Sequence, residues 1–282
     1  MEMAMEVVLL GTGSPMPDAN RAGPATLIKA GEGGFEQLLF DAGRGCMMRM
    51  AAAGSMPNFL SGILITHLHS DHLTDLNDMI TTQWIMSNEP TPLKIWGPVG
   101  IKHYVDKMME ALAPDVGYRI GHHDDLTWAP VLEITEVNPG DSFEIGAMSV
   151  SVYETCHAPV EPAVGYRVER EGKVVAIAGD TIPCVGLDAL TKDADIYVQT
   201  VIRDDLVKLV PARRLQDILD YHSSVAQAGQ TAAKNGVKKL MLTHYVPAPA
   251  EDQYPEWIAI AAEHFDGEII MGNDLTSAST GV

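Results

Sequence analysis

Short apolar runs rich in β-branched residues open the chain, and each is stopped by glycine. Residues 7–10 run into Gly-Thr-Gly, 25–29 into Gly-Glu-Gly-Gly, and 38–41 into Ala-Gly-Arg-Gly. Such runs and stops predict an antiparallel set of strands. From Ser61 the texture changes: a strand over 62–66 leads through a histidine-rich loop into a helix over about 74–86. A strand over 93–96 follows and stops at Gly97-Pro98, and a second helix runs over 101–112. The pattern here is β-α-β-α. Strands return over 132–137, 148–155, 165–170 and 174–178, the last two joined by a Glu-Gly-Lys hairpin turn. A strand over 195–200, a charged helical stretch over 204–221, a helix after Ser224 and a strand over 239–243 complete the reading. Ser224 and Gln227 have the spacing of a capping box, and Asn235-Gly236 supplies a left-handed stop. Two similar halves, each with strands first and helices after, predict two mixed sheets packed face to face with helices on both outer faces, an α+β, αββα sandwich. No linker or short-period repeat divides the 282 residues, so a single domain over 1–282 is expected.

The chemistry concentrates at strand ends. His67, His69, Asp71 and His72 fall within Thr-His-Leu-His-Ser-Asp-His, directly after an apolar strand. Alternation puts His67 and His69 on one side of an extended loop and lets Asp71 and His72 turn toward a neighbouring position. Imidazole nitrogens and carboxylate oxygens suit a borderline divalent ion such as zinc. One loop cannot complete two metal shells. His157, Asp180 and His244 each stand alone at the carboxyl end of a β-rich run, where an unpartnered buried polar group would be costly. Four strand ends therefore converge on one predicted rim.

Composition narrows the partners. A balance of 19 Lys plus Arg against 38 Asp plus Glu gives a net charge of −19, which repels polyanions and disfavours nucleic acid. The pairs Arg213-Arg214 and Lys238-Lys239 are too small to form a backbone-tracking stripe. Three widely spaced cysteines, Cys46, Cys156 and Cys184, argue against a disulfide framework and fit a reducing cytoplasm. The first residues lack a secretory pattern, and no run reaches membrane-spanning length.

The chain resembles the metallo-β-lactamase fold superfamily, in the branch shared by ribonuclease Z and arylsulfatase-like hydrolases. The resemblance covers nearly the whole chain. It rests on Gly-Thr-Gly-Ser-Pro at 11–15, Phe-Asp-Ala-Gly-Arg-Gly at 40–45, the histidine loop, Trp-Gly-Pro at 96–98, Gly-Asp-Thr at 179–181, His-Ser-Ser at 222–224 and Leu-Thr-His at 242–244. It implies that His67, His69 and His157 bind one metal, that Asp71, His72 and His244 bind the second, and that Asp180 bridges them. Two divalent ions, zinc first with manganese or iron as substitutes, would acidify a shared water toward a hydroxide nucleophile. His222 is implied to face the substrate and to donate a proton or stabilise charge, so Asp71 and His222 are the residues assigned to catalysis.

The branch's tRNA-cleaving members carry a long arm between the third histidine and the aspartate of Gly-Asp-Thr. Here 22 residues, 158–179, separate His157 from Asp180, and two strands with a hairpin turn consume them. Those members also place a glutamate that orients the catalytic histidine where this chain has Gln199-Thr200-Val201. Short arm, absent glutamate and acidic charge favour a small ester substrate: a phosphodiester, sulfate ester, lactone or thioester. A ribonuclease Z-like RNA endonuclease is the alternative, and a non-hydrolytic or redox metal-binding member the second alternative. The stretch over 202–219 is expected to be a lid or a dimerisation surface, and a homodimer is anticipated.

Overall fold

The computed structural model describes residues 4–281. Two seven-stranded sheets stack face to face. The first contains β1 (Glu6–Gly11), β2 (Ala25–Ala30), β3 (Glu36–Phe40), β4 (Leu60–Leu64), β5 (Leu93–Pro98) and β6 (Leu132–Val137) in order, with the last strand, β14 (Ser277–Ser279), paired against β1. The second contains β7 (Ser142–Ile145), β8 (Met148–Glu154), β9 (Val164–Arg170), β10 (Lys173–Ile177), β11 (Ile196–Ile202), β12 (Lys239–Val246) and β13 (Glu268–Ile270). Both sheets share one logic. β14 to β3 and β7 to β10 are antiparallel, whereas β3 to β6 and β10 to β13 are parallel. Parallel strands need crossovers, and the helices supply them.

Between the sheets lies a core that includes Leu9, Ile28, Phe40, Val150, Tyr166, Val198 and Met241. Outside the first sheet, α1 (Cys46–Ala52), α2 (Leu76–Met86) and α3 (Ile101–His122) cover a second apolar cluster. Outside the other, α4 (Val185–Thr191), α7 (Val225–Lys234) and α8 (Tyr254–Ala262) cover a third. β11 is buried at all seven positions, as a parallel strand covered on both faces should be. The predicted αββα sandwich is the observed one. Ser224 accepts from the Gln227 backbone and Gln227 returns the bond, the predicted capping box, and Gly236 takes the left-handed stop at φ 66°.

Two helical expectations are corrected. α3 runs 22 residues, well past 112, because Pro114 removes only one ladder bond on an exposed face and Val116 still reaches an apolar cluster with Trp84 and Leu126. The stretch over 204–221 is not one helix: Pro211 divides it into α5 (Asp204–Val207) and α6 (Arg213–Gln216), followed by a 3-10 turn at Asp217–Asp220. Among the described residues no helix is long and apolar enough to cross a membrane.

Candidate metal centre

The rim at the carboxyl ends of the strands gathers every residue read from the strand-end pattern. β4 leads into His67 and His69, and a 3-10 turn at Ser70–His72 swings Asp71 and His72 toward the second position. His157 follows β8, Asp180 follows β10, and His244 lies in the last turns of β12, where its backbone is bent to φ 53°. Such a φ on a non-glycine residue costs energy and persists where surrounding structure fixes it, typically at functional sites. Gly179 is required before Asp180. Its φ is +66°, and a Cβ there would stand 2.7 Å from the Thr66 Cβ. A Cβ on Gly43 would meet the Asp71 carbonyl oxygen at 2.5 Å, so the Asp-Ala-Gly turn can pack directly under the histidine loop only as glycine.

One carboxylate oxygen sits at the centre. Asp180 Oδ2 lies 3.7 Å from His67 Nε2, 3.4 Å from His72 Nε2, 3.8 Å from His157 Nε2, 3.2 Å from His222 Nε2 and 3.5 Å from His244 Nε2. The rest of the cluster closes around it: His69 Nδ1 is 3.0 Å from His67 Nε2 and 3.2 Å from His157 Nε2, and His244 Nε2 is 3.3 Å from Asp71 Oδ2. His67, His157, His72 and His244 are all at most 1% exposed.

The hydrogen bonds fix several tautomers. His157 Nδ1–H donates to the Tyr221 carbonyl at 2.8 Å, because a carbonyl can only accept. The Thr66 hydroxyl donates to Asp41 Oδ2 at 2.9 Å, so His67 Nδ1–H donates to Thr66 Oγ1 at 3.0 Å. The neutral rings of His67 and His157 therefore both point an Nε2 lone pair at His69, which has one ring proton at most to offer that side. A proton cannot satisfy three converging nitrogens, and a cation can. The buried His72 Nε2, Asp180 Oδ1 and His244 Nδ1 atoms lack a hydrogen-bond partner among the described residues, which points the same way. The donor set fits divalent metal in three overlapping groups: His67, His69, His157 and Asp180; Asp71, His72 and His244; and Asp180, His222 and His244.

Electrostatics divide the cluster. Burial pushes His67 well below its ordinary range and His157 down to about 4, and it lowers His69 as well. Burial opposes the charged form of His72 and His244 too, but Asp180 overrides it at both, helped by Asp41 at His72 and Asp71 at His244, and both rings are raised. Burial would raise Asp180, yet His244 and His72 hold it well below the usual carboxylate range.

The sequence reading does not single out Asp41, which sits below the site at φ 60°. It accepts from His72 Nδ1 at 2.7 Å and from the Thr66 hydroxyl and backbone N–H, so it orients two ligand-type histidines, one of them through Thr66. Its signal was the Phe-Asp-Ala-Gly-Arg-Gly motif. Thr200, at the position of the absent glutamate, donates its hydroxyl to the Gly179 carbonyl at 3.0 Å, and Gln199 before it bonds Tyr197 and the Thr200 carbonyl. His222 is held instead by the Ile218 carbonyl, which accepts from Nδ1–H at 3.1 Å.

The model for the beta-lactamase superfamily domain matches residues 36–245, which span Asp41 and the whole candidate ligand set from His67 to His244. A ribonuclease Z of Mycolicibacterium gilvum is 50% identical over 96% of this chain and 94% of its own length. One from Mycobacterium bovis is 47% identical over 96% of both. The chain belongs to the ribonuclease Z family of the beta-lactamase superfamily. It is a metal-dependent hydrolase. Solved structures of the metallo-beta-lactamase fold protein YhfI from Bacillus subtilis (19% identical, TM-score 0.75, 99% of this chain and 100% of that one) and of human tRNase Z, short form (22%, TM-score 0.71, 98% and 100%) share its fold.

Membership in the ribonuclease Z family overturns the expectation of a small ester substrate and of nucleic acid as a disfavoured partner. Both errors have a physical source. Net charge is a sum over the surface, whereas binding at a metal rim depends on the local field. The arm argument fails on length: the mycobacterial relatives align over 94–96% of their own chains, which leaves them no room for a long insertion either.

Proposed function

We propose that this chain is a zinc-dependent endoribonuclease that cleaves a phosphodiester in precursor tRNA. The observation that carries this reading is the 50% identity, over 96% of the chain, to a protein named ribonuclease Z. The donor chemistry supports it. In this reading His67, His69 and His157 hold one ion, Asp71, His72 and His244 hold the other, and Asp180 lies between them. Imidazole-rich sets suit zinc, with manganese or iron(II) as substitutes. Bound ions of this kind supply Lewis-acid stabilisation of a phosphoryl oxygen and lower the pKa of coordinated water.

The chain's own residues do the rest. Asp71 and Asp180 bring negative charge to a site crowded with imidazoles and keep it attractive to dications. His222 stands at the edge of the cluster, with its Nδ1–H tied to Ile218 and its Nε2 turned inward. With both ring nitrogens protonated, it would be placed to pass the Nε2 proton to a leaving alkoxide and return to the neutral, Nδ1-protonated form. Residues 1–282 act as one hydrolase domain in this reading, supported by a core drawn from both sheets. A cytoplasmic setting is supported by Cys46, Cys156 and Cys184 all being free.

The test is direct. Zinc-loaded protein incubated with a precursor tRNA should yield an endonucleolytically shortened product, and Asp180→Ala should yield none. A precursor left intact by protein carrying its full metal complement overturns the proposal.

A further inference from the structure

We infer that the strap from Arg203 to Tyr221 is a positioning element of the metal centre, which fixes the tautomer of His157 and the orientation of His222 through two of its backbone carbonyls. The inference rests on the ligand assignment proposed above for His157. It is an alternative to the lid expected over 202–219 and is compatible with a dimer surface there.

Three observations converge on it. At its far end the strap supplies the Tyr221 carbonyl to His157 Nδ1–H at 2.8 Å and the Ile218 carbonyl to His222 Nδ1–H at 3.1 Å. These bonds turn the Nε2 of each ring inward, that of His157 as the lone pair a metal ligand needs and that of His222 to 3.2 Å from Asp180 Oδ2. The Tyr221 ring stands against both imidazoles, with centroids 5.1 Å from His157 and 4.7 Å from His222, so neither ring can rotate without displacing it. At its near end the strap is clamped. Arg203, 4% exposed, makes a bidentate pair with Asp205 at 2.7 Å and reaches Glu256 on α8 at 2.8 Å, with its guanidinium over the Trp257 ring. Between the two ends, Val207, Leu215, Ile218 and Leu219 pack onto Ile202 and Val246.

A lid must leave the site to open. This segment cannot leave without removing the hydrogen-bond partners of two site histidines and pulling on the ion-pair clamp of the buried Arg203. It also accounts for Thr200 in place of a glutamate. The chain needs no carboxylate there because a main-chain carbonyl orients His222, and a carbonyl performs that role without adding charge to an already acidic site.

The experiment compares zinc affinity, by chelator competition at neutral pH, among the wild-type protein, Tyr221→Ala, Tyr221→Phe and Arg203→Met, each checked for native circular dichroism. Loss of outer partners of a metal-binding histidine costs roughly 10- to 100-fold in affinity. Tyr221→Ala and Arg203→Met should therefore weaken one of the bound zinc ions by at least about tenfold. Tyr221→Phe, which keeps the ring, should restore wild-type affinity. Nitrogen NMR of the His157 ring should show Nδ1 protonated in the wild type and mixed tautomers in Tyr221→Ala. Folded Tyr221→Ala with unchanged zinc affinity and an unchanged His157 tautomer overturns the strap's role, and this variant decides the matter if Arg203→Met fails to fold. Wild-type protein that binds no zinc instead overturns the ligand assignment itself, and neither outcome depends on whether tRNA is the substrate.

Discussion

The rings of His67 and His157 are held by uncharged partners, a threonine hydroxyl and a main-chain carbonyl, and both close on His69, whereas His72 and His244 are held by carboxylates. One loop feeds both groups, yet their protonation differs. Burial leaves the first three rings neutral at neutral pH, with lone pairs ready for a cation. Asp180, Asp41 and Asp71 keep His72 and His244 inclined to hold protons that a metal must displace. The first group is thus organised by orientation and the second by charge. A site that looks symmetric in its ligand count has two different weak points.

The largest effect comes from the residue both groups share. Asp180→Ala removes the oxygen that five imidazole nitrogens surround, and turnover should fall below detection while circular dichroism stays native. Full activity in that variant would sink the idea of a shared centre. Under the proposed two-ion assignment, Asp71→Asn should act on one side only, so elemental analysis should find a loss of about one ion, with the three-histidine side still loaded. Equal loss from both sides would erase the contrast drawn here. Asp41→Asn keeps the shape but weakens the acceptor for His72 and Thr66, and a drop of roughly 10- to 100-fold in metal affinity or activity is expected. Wild-type affinity in Asp41→Asn would deny it an orienting role.

The smallest effect lies in the pH dependence of chelator-treated protein. His157 is depressed to about 4 in the fold, so between its unfolded value and that figure the unfolded chain binds the extra proton and stability falls as pH falls. His67 adds to this in the same direction. His72 and His244 are raised, so their contribution is complete below the unfolded histidine pKa and is lost as pH rises through their folded values. Denaturant midpoints measured across pH should therefore peak and decline on both sides. A midpoint that rises steadily from acid to alkaline pH would contradict the assignment of raised values to His72 and His244.

Much of this centre was legible in the sequence because strand alternation and strand ends have a fixed geometry. Thr66 to His72 reads as a ligand loop from spacing alone, and His157, Asp180 and His244 follow from lone polar residues after apolar runs. What escaped is what has no side-chain signature. The carbonyls of Ile218 and Tyr221 belong to every residue type equally, so no pattern announces them. Asp41 is visible only as part of a turn motif, since its use depends on β3 lying beside β4. The 204–221 stretch has helical periodicity, but Pro211 and the clamp at Arg203 break it into short turns. The substrate was misread because a net charge carries no positional information.

The pairing of β1 with β14 and the spread of the ligands from His67 to His244 also govern when the protein becomes itself during synthesis. A nascent chain leaving the ribosome can assemble β2 to β6 early, yet its first strand waits for residues 277–279 to close that edge. Contacts of such long sequence separation form late and slowly. Until His244 has emerged the cluster lacks one of its imidazoles, and any ion captured by the early histidines sits in an open half-site. Under the ligand assignment proposed above, cleavage competence therefore cannot precede the emergence of His244, and chains truncated before it are born without it.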